Sequence, residues 1–283
     1  MKTLFEPLQT AWRVAGDGQS FLNLAFVMLL AHVNRHKNKL RKFLFCFIAG
    51  FFLDAARTSP FSVRLRVNGA LVDVLFPFGA ETEFWSIRSI ITEVLIKEVY
   101  RPDPSVPLHL VIDAGANFGL ATLYLHTLAP ETEFVCYEPS SETYRALVRN
   151  LEVNHVKFRA LQKALTNFDG LTRFELGRSS MERGIAKNNI NADTEEVPCA
   201  ALGLELDRLG IQRVDLLKFD VEREEVRLLE GLGDGLSRVQ QVIGETHSPV
   251  LEAEVGQRLT SAGFVVKHHD GHTKAVRIDS ISG

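Results

Sequence analysis

From Leu108 onward, short apolar segments alternate with segments that carry apolar residues at helical spacing. The strand-like segments are 108–113, 133–139, 157–161, 214–220 and 239–245. Helical patterns follow them at 120–128, 144–151, 224–232 and 250–262. Such alternation predicts βαβ units and a mostly parallel sheet covered on both faces. Because ligands of such sheets bind at the carboxyl ends of the strands, those ends are where a site is expected.

The first of these strands runs into a glycine-containing loop, Asp113-Ala-Gly-Ala-Asn-Phe-Gly119. Glycine at a strand-to-helix turn lets the backbone approach a ligand closely. A dinucleotide site would need G-x-G-x-x-G, whereas the spacing here is G-x-x-x-G, and Asp113 would repel a pyrophosphate. A carboxylate instead favours a cation. S-adenosylmethionine, which carries a sulfonium and an ammonium group and no phosphate, therefore fits this loop better than a nicotinamide dinucleotide.

An acidic residue also ends the second strand. Glu138 follows Asp113 by 25 residues, which is the position where an acid accepts hydrogen bonds from ribose hydroxyls. Two acidic strand ends within one βαβ unit favour a site for a nucleoside-containing donor. The alternative is that both acids only cap the helices that follow them.

Four longer motifs occur in a fixed order. They are VIDAGANFG (111–119), CYEPSSETYRALVRNLEVN (136–154), LLKFDVEREEVRLLEG (216–231) and VIGETH (242–247). Together they resemble the FkbM-type family of S-adenosylmethionine-dependent methyltransferases, over about residues 65–280. The resemblance implies an α/β, Rossmann-like class I methyltransferase fold. Its mostly parallel seven-stranded sheet would receive one antiparallel strand from the last hairpin.

The resemblance assigns roles to individual residues. The predicted donor-binding residues are Asp113, Gly115, Asn117, Gly119 and Glu138, with Asp220 lining the far side of the site. Asn150 and Asn154 match the family's N-L-x-x-N helix end, for which we predict a structural role. The chain departs from the family pattern at Arg223, where glycine is usual, and at Leu202-Gly203, where Leu-Asp is usual. Arg223 is expected to tighten or block the acceptor pocket, or to bind an anionic acceptor.

The carboxyl ends of the fourth and fifth strands should be neighbours, which would bring Asp220 and Glu222 close to Glu245 and His247. We predict His247 as general base, because a neutral imidazole can accept a proton near physiological pH. Glu245 would orient the ring, and Asp220 would hold the acceptor hydroxyl or serve as the base itself. The alternative is structural, with Glu245 bonded to His247 and Asp220 capping a helix.

The residues after the fourth strand bear on the acceptor. Methyltransferases that act on amino groups usually carry Asn or Asp, two prolines and an aromatic there, whereas this chain has Phe219-Asp-Val-Glu222. An oxygen acceptor is therefore favoured. The resemblance implies O-methylation of a sugar, glycolipid or secondary metabolite. The competing class is a non-catalytic module that keeps the donor fold for binding or membrane docking.

Composition limits the partners and the compartment. The chain has 32 basic and 35 acidic residues, so no overall field attracts nucleic acid. Its three cysteines form no C-x-x-C pair, which favours a reducing, cytoplasmic location. The cluster His268-His-Asp-Gly-His272 is interpreted as an exposed hairpin turn, so no metal is predicted. The sequence leaves the oligomeric state open.

The first sixty residues differ from the rest. Apolar runs at 21–33 and 43–53 flank the basic stretch 35–42, and both are shorter than the roughly 20 residues that span a bilayer. They predict either a helical hairpin buried against the main domain or a segment, 21–56, that contacts an anionic membrane surface. The predicted domains are this segment (1–60), a β-hairpin and helical lead-in (61–105), and the methyltransferase domain (106–283).

Overall fold

The computed structural model describes residues 2–34, 61–77, 80–175, 184–185 and 194–278. The chain divides into two compact units. The first consists of Met1–Val99, Phe118–Leu128 and Arg145–His155, and the second of Tyr100–Asn117, Ala129–Tyr144 and Val156–Gly283. The domain boundaries predicted at residues 60 and 105 stay a prediction.

The first unit begins with two helices, α1 (Lys2–Val14) and α2 (Gly18–Asn34). Asp17 precedes α2, and its carboxylate accepts a hydrogen bond from the backbone N–H of Ser20 at 2.7 Å, as an N-cap does. Leu24, Phe26 and Met28 are buried in α2. Residues 24–28 of the apolar run are therefore buried, whereas burial of a helical hairpin against the main domain stays a prediction.

The other predictions for this segment are untested. The second apolar run, 43–53, and the basic stretch 35–42 lie outside the described residues. Contact of residues 21–56 with a membrane surface therefore stays a prediction. Across the described part of the chain, every helix is too short or too polar to cross a bilayer.

A β-hairpin follows, made of β1 (Phe61–Val67) and β2 (Ala70–Phe76). At its turn, Asn68 and Gly69 have φ of 47° and 86°. Two positive φ angles are what a type I′ turn requires, and its twist matches the flanking strands. The predicted hairpin is therefore confirmed. Helix α3 (Ala80–Ile91) comes next and continues into a π-helical turn, Thr92–Ile96.

Two asparagines hold the free edge of β2. Both lie in or directly after helix α5 (Ser141–Val153), which follows helix α4 (Leu120–Leu128) along the chain. The Asn150 amide accepts from the N–H of Leu75 at 2.7 Å and donates to its carbonyl at 3.0 Å. Asn154 makes the same two bonds to Asp73, at 2.9 and 2.7 Å. Four helical residues and two strand residues both span about 6 Å, so the spacings match, and the predicted structural role is confirmed.

The second unit contains a seven-stranded sheet in the order β12-β13-β11-β10-β3-β4-β5. Its strands are β3 (Leu110–Ala114), β4 (Glu133–Tyr137), β5 (Lys157–Leu161), β10 (Val214–Phe219), β11 (Val239–Glu245), β12 (Phe264–His269) and β13 (His272–Arg277). All neighbours are parallel except β13, which is antiparallel to both β11 and β12. The helices that follow strands in this unit are α6 (Leu202–Arg208), α7 (Glu225–Leu232) and α8 (Pro249–Ser261). The predicted class I methyltransferase fold is confirmed, including the inserted antiparallel strand and the turn at Asp270-Gly271.

A second sheet in this unit was not predicted. It has the order β6-β9-β7-β8, with strands Ala164–Thr166, Thr194–Ala201, Gly170–Glu175 and Gly184–Ile185 respectively. The sequence-based predictions contain no strand over residues 167–196, where β7 and the start of β9 lie. Phe174 is the buried residue of β7, so the segment lacks the apolar alternation that marks a strand. Its backbone pairing with β9 forms the strand instead.

The central strand β10 is buried along its whole length, so its polar side chains need partners. Asp215 accepts hydrogen bonds from the backbone N–H groups of His109 and Leu110, at 2.8 and 3.0 Å. The Arg213 guanidinium donates to its other oxygen at 2.7 Å. Burial raises the pKa of Asp215, but these donors outweigh burial and hold it below its ordinary value of 3.8. Asp215 thus fixes the start of β3 beside β10.

Replacing Asn150 by aspartate should destabilise the protein. The carboxylate cannot donate to the carbonyls of Leu75 and Phe118, both of which the Asn150 amide reaches. It also leaves a charge at a fully buried site. We expect Asn150→Asp to lower the free energy of unfolding by about 3 kcal/mol, measured by urea titration. Asn154→Asp, at a less buried position, is the matched control, and an equal loss in both variants would contradict this account.

Low pH should remove the contribution of Asp215 to the free energy of unfolding. A group whose pKa is lower in the folded state stabilises the protein above its unfolded pKa, and this stability is lost as pH falls through the folded pKa. We expect Asp215→Asn to cost about 1–3 kcal/mol at pH 7, and the gap to the wild type to narrow below about pH 4. Urea titrations between pH 7 and pH 3 measure this gap, with exposed Asp234→Asn as control. A gap independent of pH would rule out the assignment.

Candidate active site

The glycine loop lies between the carboxyl ends of β3 and β10, where the chain switches sides of the sheet. Gly115 has a φ of 76°, and a Cβ on it would lie 1.9 Å from the carbonyl oxygen of Asp220. The N–H groups of Gly115 and Ala116 both donate to the carbonyl of Tyr137 at 2.9 Å. Gly115 is therefore required by the contact between the loop and the end of β10, a reason that the sequence did not reveal.

The other two loop positions have their own constraints. Asn117 has a φ of 51°, in the left-handed region that asparagine tolerates. Its backbone N–H donates to the Glu138 carboxylate at 2.8 Å. Gly119 has a φ of 89°, and a Cβ there would lie 2.9 Å from the Leu147 side chain in α5. Backbone conformation and packing thus explain both residues before any ligand is considered.

Asp113 faces the interior. Its side chain is fully buried, and its Oδ1 lies 2.9 Å from the Lys218 ammonium. Lys218 also donates to the carbonyl of Gly115 at 2.8 Å and lies 5.1 Å from the centre of the Tyr100 ring. Burial lowers the pKa of Lys218, but the charges of Asp113 and Asp220 outweigh it and raise that pKa overall.

The predicted attraction of the Asp113 carboxylate for a cationic donor stays a prediction, and the structure shows another partner for this carboxylate. The charge of Asp113 is already paired with Lys218, and the pair supports the loop from the inside of the protein. The sequence analysis missed Lys218. Its signal was a lysine inside the apolar run of β10, a position where a charge is costly unless it is paired.

Glu138 ties the loop to the start of α5. The residue is 6% exposed, and its carboxylate accepts hydrogen bonds from the N–H groups of Asn117 and Ser140 and the hydroxyl of Thr143, at 2.8, 2.9 and 2.8 Å. Burial raises the pKa of Glu138, and these three donors oppose the rise. Three bonds fill three of about four acceptor positions on a carboxylate, so one position remains for a ligand hydroxyl. Its predicted contact with ribose stays a prediction.

Five ionisable side chains meet at the carboxyl ends of β10 and β11. The Nε2 atom of His247 lies 3.2 Å from Glu222, 3.8 Å from Asp220 and 4.0 Å from Glu245. Its Nδ1 atom lies 2.5 Å from Oε1 of Glu225. The predicted approach of Asp220 and Glu222 to Glu245 and His247 is confirmed. We call these five residues the acidic cluster.

Both ring nitrogens of His247 face carboxylates. Burial lowers the pKa of His247, but Glu222 and Glu225, helped by Asp220, outweigh it and raise the pKa to about 11. A protonated imidazole has no free lone pair, so this arrangement favours Asp220, the stated alternative, as the base. The residue that orients the ring through Nδ1 is Glu225 and not Glu245. Sequence reasoning missed Glu225, which lies in the first turn of α7.

Residues 222 and 223 form a turn with two successive positive φ angles, 48° at Glu222 and 74° at Arg223. Such angles favour glycine, which explains why the resemblance implies glycine at 223. The Arg223 backbone N–H donates to Glu225 at 3.1 Å, and its side chain is exposed. Burial also raises the pKa of Glu222. The turn therefore keeps its conformation with arginine in place of glycine.

The second departure from the family pattern has a packing cause. A Cβ on Gly203 would lie 2.6 Å from the carbonyl oxygen of Leu232. Helix α6 thus approaches the end of α7 too closely for a side chain at this position. Aspartate, usual in the resembling family, would not fit here without movement of one helix.

A match to the Methyltransferase FkbM domain spans residues 113–266. The AMB antimetabolite synthetase AmbE of Pseudomonas aeruginosa is 28% identical over an alignment of 241 residues that covers 71% of this chain and 11% of that protein. Methyltransferase sdnD of Sordaria araneosa is 28% identical over 222 residues, covering 64% of this chain and 85% of its own length. The 31-O-demethyl-FK506 methyltransferase FkbM of Streptomyces tacrolimicus is 28% identical over 192 residues, with coverages of 56% and 74%. Because the domain match covers more than half of the chain, the chain belongs to the FkbM methyltransferase family, whose members use S-adenosylmethionine.

Proposed function

We propose that this protein transfers a methyl group to a hydroxyl oxygen of a sugar, glycolipid or secondary metabolite. The observation that carries the proposal is the position of the acidic cluster, whose Asp220 contacts the glycine loop at Gly115. S-adenosylmethionine supplies an electrophilic methyl group when it is bound. The residues of this chain must then hold the donor, position the acceptor oxygen and accept its proton.

The residues of the glycine loop fit that donor. The strand end at Asp220 leaves no room for a side chain at position 115, so the loop lies directly against the backbone of Asp220 and brings a donor held by the loop close to the acidic cluster. Glu138 retains one acceptor position after its three hydrogen bonds. A ribose hydroxyl is a donor of the right kind for that position.

The acidic cluster fits a hydroxyl acceptor. As the new carbon–oxygen bond forms, the hydroxyl proton must pass to a base. Asp220 is the proposed base because it lies against the glycine loop. The Tyr100 hydroxyl, 3.5 Å from its Oδ2, and His247, beside its Oδ1, hold the carboxylate in place. His247 is then a positioning residue. The carboxylates of Glu222 and Glu245 can accept hydrogen bonds from further hydroxyl groups of the acceptor, which suits a polyhydroxylated molecule.

The name of one relative supports an oxygen acceptor. The 31-O-demethyl-FK506 methyltransferase is named for a methyl group on oxygen. The non-catalytic alternative predicts donor binding with no release of S-adenosylhomocysteine from any acceptor.

Glu138→Ala should weaken binding of S-adenosylhomocysteine by about tenfold or more, since it removes a charged hydrogen-bond acceptor. Isothermal titration calorimetry measures this affinity. Because Glu138 also ties down the loop, Thr143→Val is the matched comparison, as it removes one bond to Glu138 and keeps the carboxylate. Thr143→Val should lower the melting temperature and leave affinity within a few-fold. Exposed Glu152→Ala should change neither, and wild-type affinity in Glu138→Ala would refute the assignment.

Asp220→Asn should lower turnover by about 10²–10⁴-fold, the usual contribution of a general base, while donor affinity holds. Release of S-adenosylhomocysteine is measured with saturating donor and a panel of sugars, glycolipids and polyketide-type alcohols. Asp234→Asn, at an exposed aspartate, is the control. His247→Ala should cost less than Asp220→Asn if His247 only positions the acceptor. A larger loss in His247→Ala would restore His247 as base, and no turnover across the panel in the wild type would favour the non-catalytic alternative.

A further inference from the structure

We propose that Asp220, Glu222 and His247 form a binding site for one divalent cation. One ligand atom from each residue can be chosen so that all three lie within 4.8 Å of one another. The Nε2 atom of His247 is 3.2 Å from Oε2 of Glu222 and 3.8 Å from Oδ1 of Asp220. Ligands at about 2.1 Å from one ion are about 3.0–3.4 Å apart, so only small side-chain movements are needed.

Charge favours a cation at this place. Four carboxylates surround a single imidazole, which carries at most one positive charge. The side chains of the three ligands and of Glu245 are between 18% and 30% exposed, and Glu225 is fully buried. Like charges at such separations repel, and burial strengthens the repulsion. A divalent ion among the carboxylates would offset it.

Glu225 provides an independent sign of a metal site. Its Oε1 lies 2.5 Å from Nδ1 of His247, so the ring directs Nε2 toward Glu222 and Asp220. An ion bound there would replace the proton that Nε2 carries in the metal-free protein, and that proton would be released to solvent. Histidines that ligate a metal usually give their other N–H to a carboxylate in this way. Oε2 of Glu225 is buried and has no hydrogen-bond partner among the described residues, and the same holds for Oδ1 of Asp220. Buried carboxylate oxygens without donors are costly unless a cation is near.

The ligand set indicates the class of ion. One imidazole nitrogen with two carboxylate oxygens suits Mn²⁺, Fe²⁺ or Zn²⁺ better than Ca²⁺, which prefers oxygen ligands only. Any catalytic role rests on the proposed function, because an ion beside the acceptor would ease loss of the hydroxyl proton. The sequence directed attention to the histidines of the last hairpin and missed this set, whose members come from two separate strand ends.

The test uses the EDTA-treated full chain and Mn²⁺, with neither donor nor acceptor present. Calorimetry should show one equivalent of Mn²⁺ bound by the wild type. Binding should weaken at least tenfold in Glu222→Gln and His247→Ala. Glu225→Gln should weaken it about 10–100-fold without removing a ligand. His269→Ala, at an exposed histidine, should bind as the wild type does.

Pulsed electron paramagnetic resonance identifies the ligand atoms directly, and the wild type alone gives the first readout. Mn²⁺ bound to the wild type should show coupling to a histidine nitrogen, and His247→Ala should lose it. Absence of this coupling in the wild type, or its persistence in His247→Ala, would overturn the proposal. So would wild-type affinity no higher than that of Glu222→Gln. Because this test measures no methyl transfer, a protein that binds no metal could still be a methyltransferase. Likewise, a protein without methyltransferase activity could still bind the metal.

Discussion

The ion pair between Lys218 and Asp113 is the interaction on which the site depends. Both side chains are almost completely buried, and the cost of burying two charges is several kcal/mol per ion before their attraction is counted. The attraction between the two charges and the hydrogen bond that Lys218 donates to the carbonyl of Gly115 offset this cost. The pair also joins β3 to β10. Removing either partner would leave the other charged and buried. The conformation of the glycine loop is therefore set from inside the sheet.

This arrangement places two functions on one strand end. Lys218 supports the loop, and two residues later Asp220 begins the acidic cluster. The absence of a side chain at Gly115 lets the loop touch the backbone of Asp220 directly. Any displacement of β10 would therefore move the loop and the cluster together. Since methyl transfer requires reacting atoms at about 3 Å in a fixed direction, such a common support favours the reaction over separate flexible loops.

The sequence predicted the sheet because strand-like apolar segments, such as those of β3 and β10, alternate with helical patterns along the chain. Each of these patterns is a local feature of the sequence. It missed β7, whose strand conformation comes from pairing with β9 rather than from its own polar residues. It placed Asp220, Glu222, Glu245 and His247 together because parallel strands end at one edge. It could not identify Glu225 as the partner of Nδ1, since side-chain direction at a helix start depends on tertiary packing.

The turn at Glu222 and Arg223 shows which part of the site tolerates change. A non-glycine residue with positive φ costs about 1 kcal/mol or more, and this turn holds two in succession. Two contacts stabilise this conformation. Glu222 lies next to His247, and the backbone N–H of Arg223 donates a hydrogen bond to Glu225. Arginine in place of glycine therefore leaves the geometry of the cluster intact. Its side chain is exposed, so the expected effect of Arg223 on the acceptor pocket stays a prediction, whereas its effect on the backbone of the turn is accounted for.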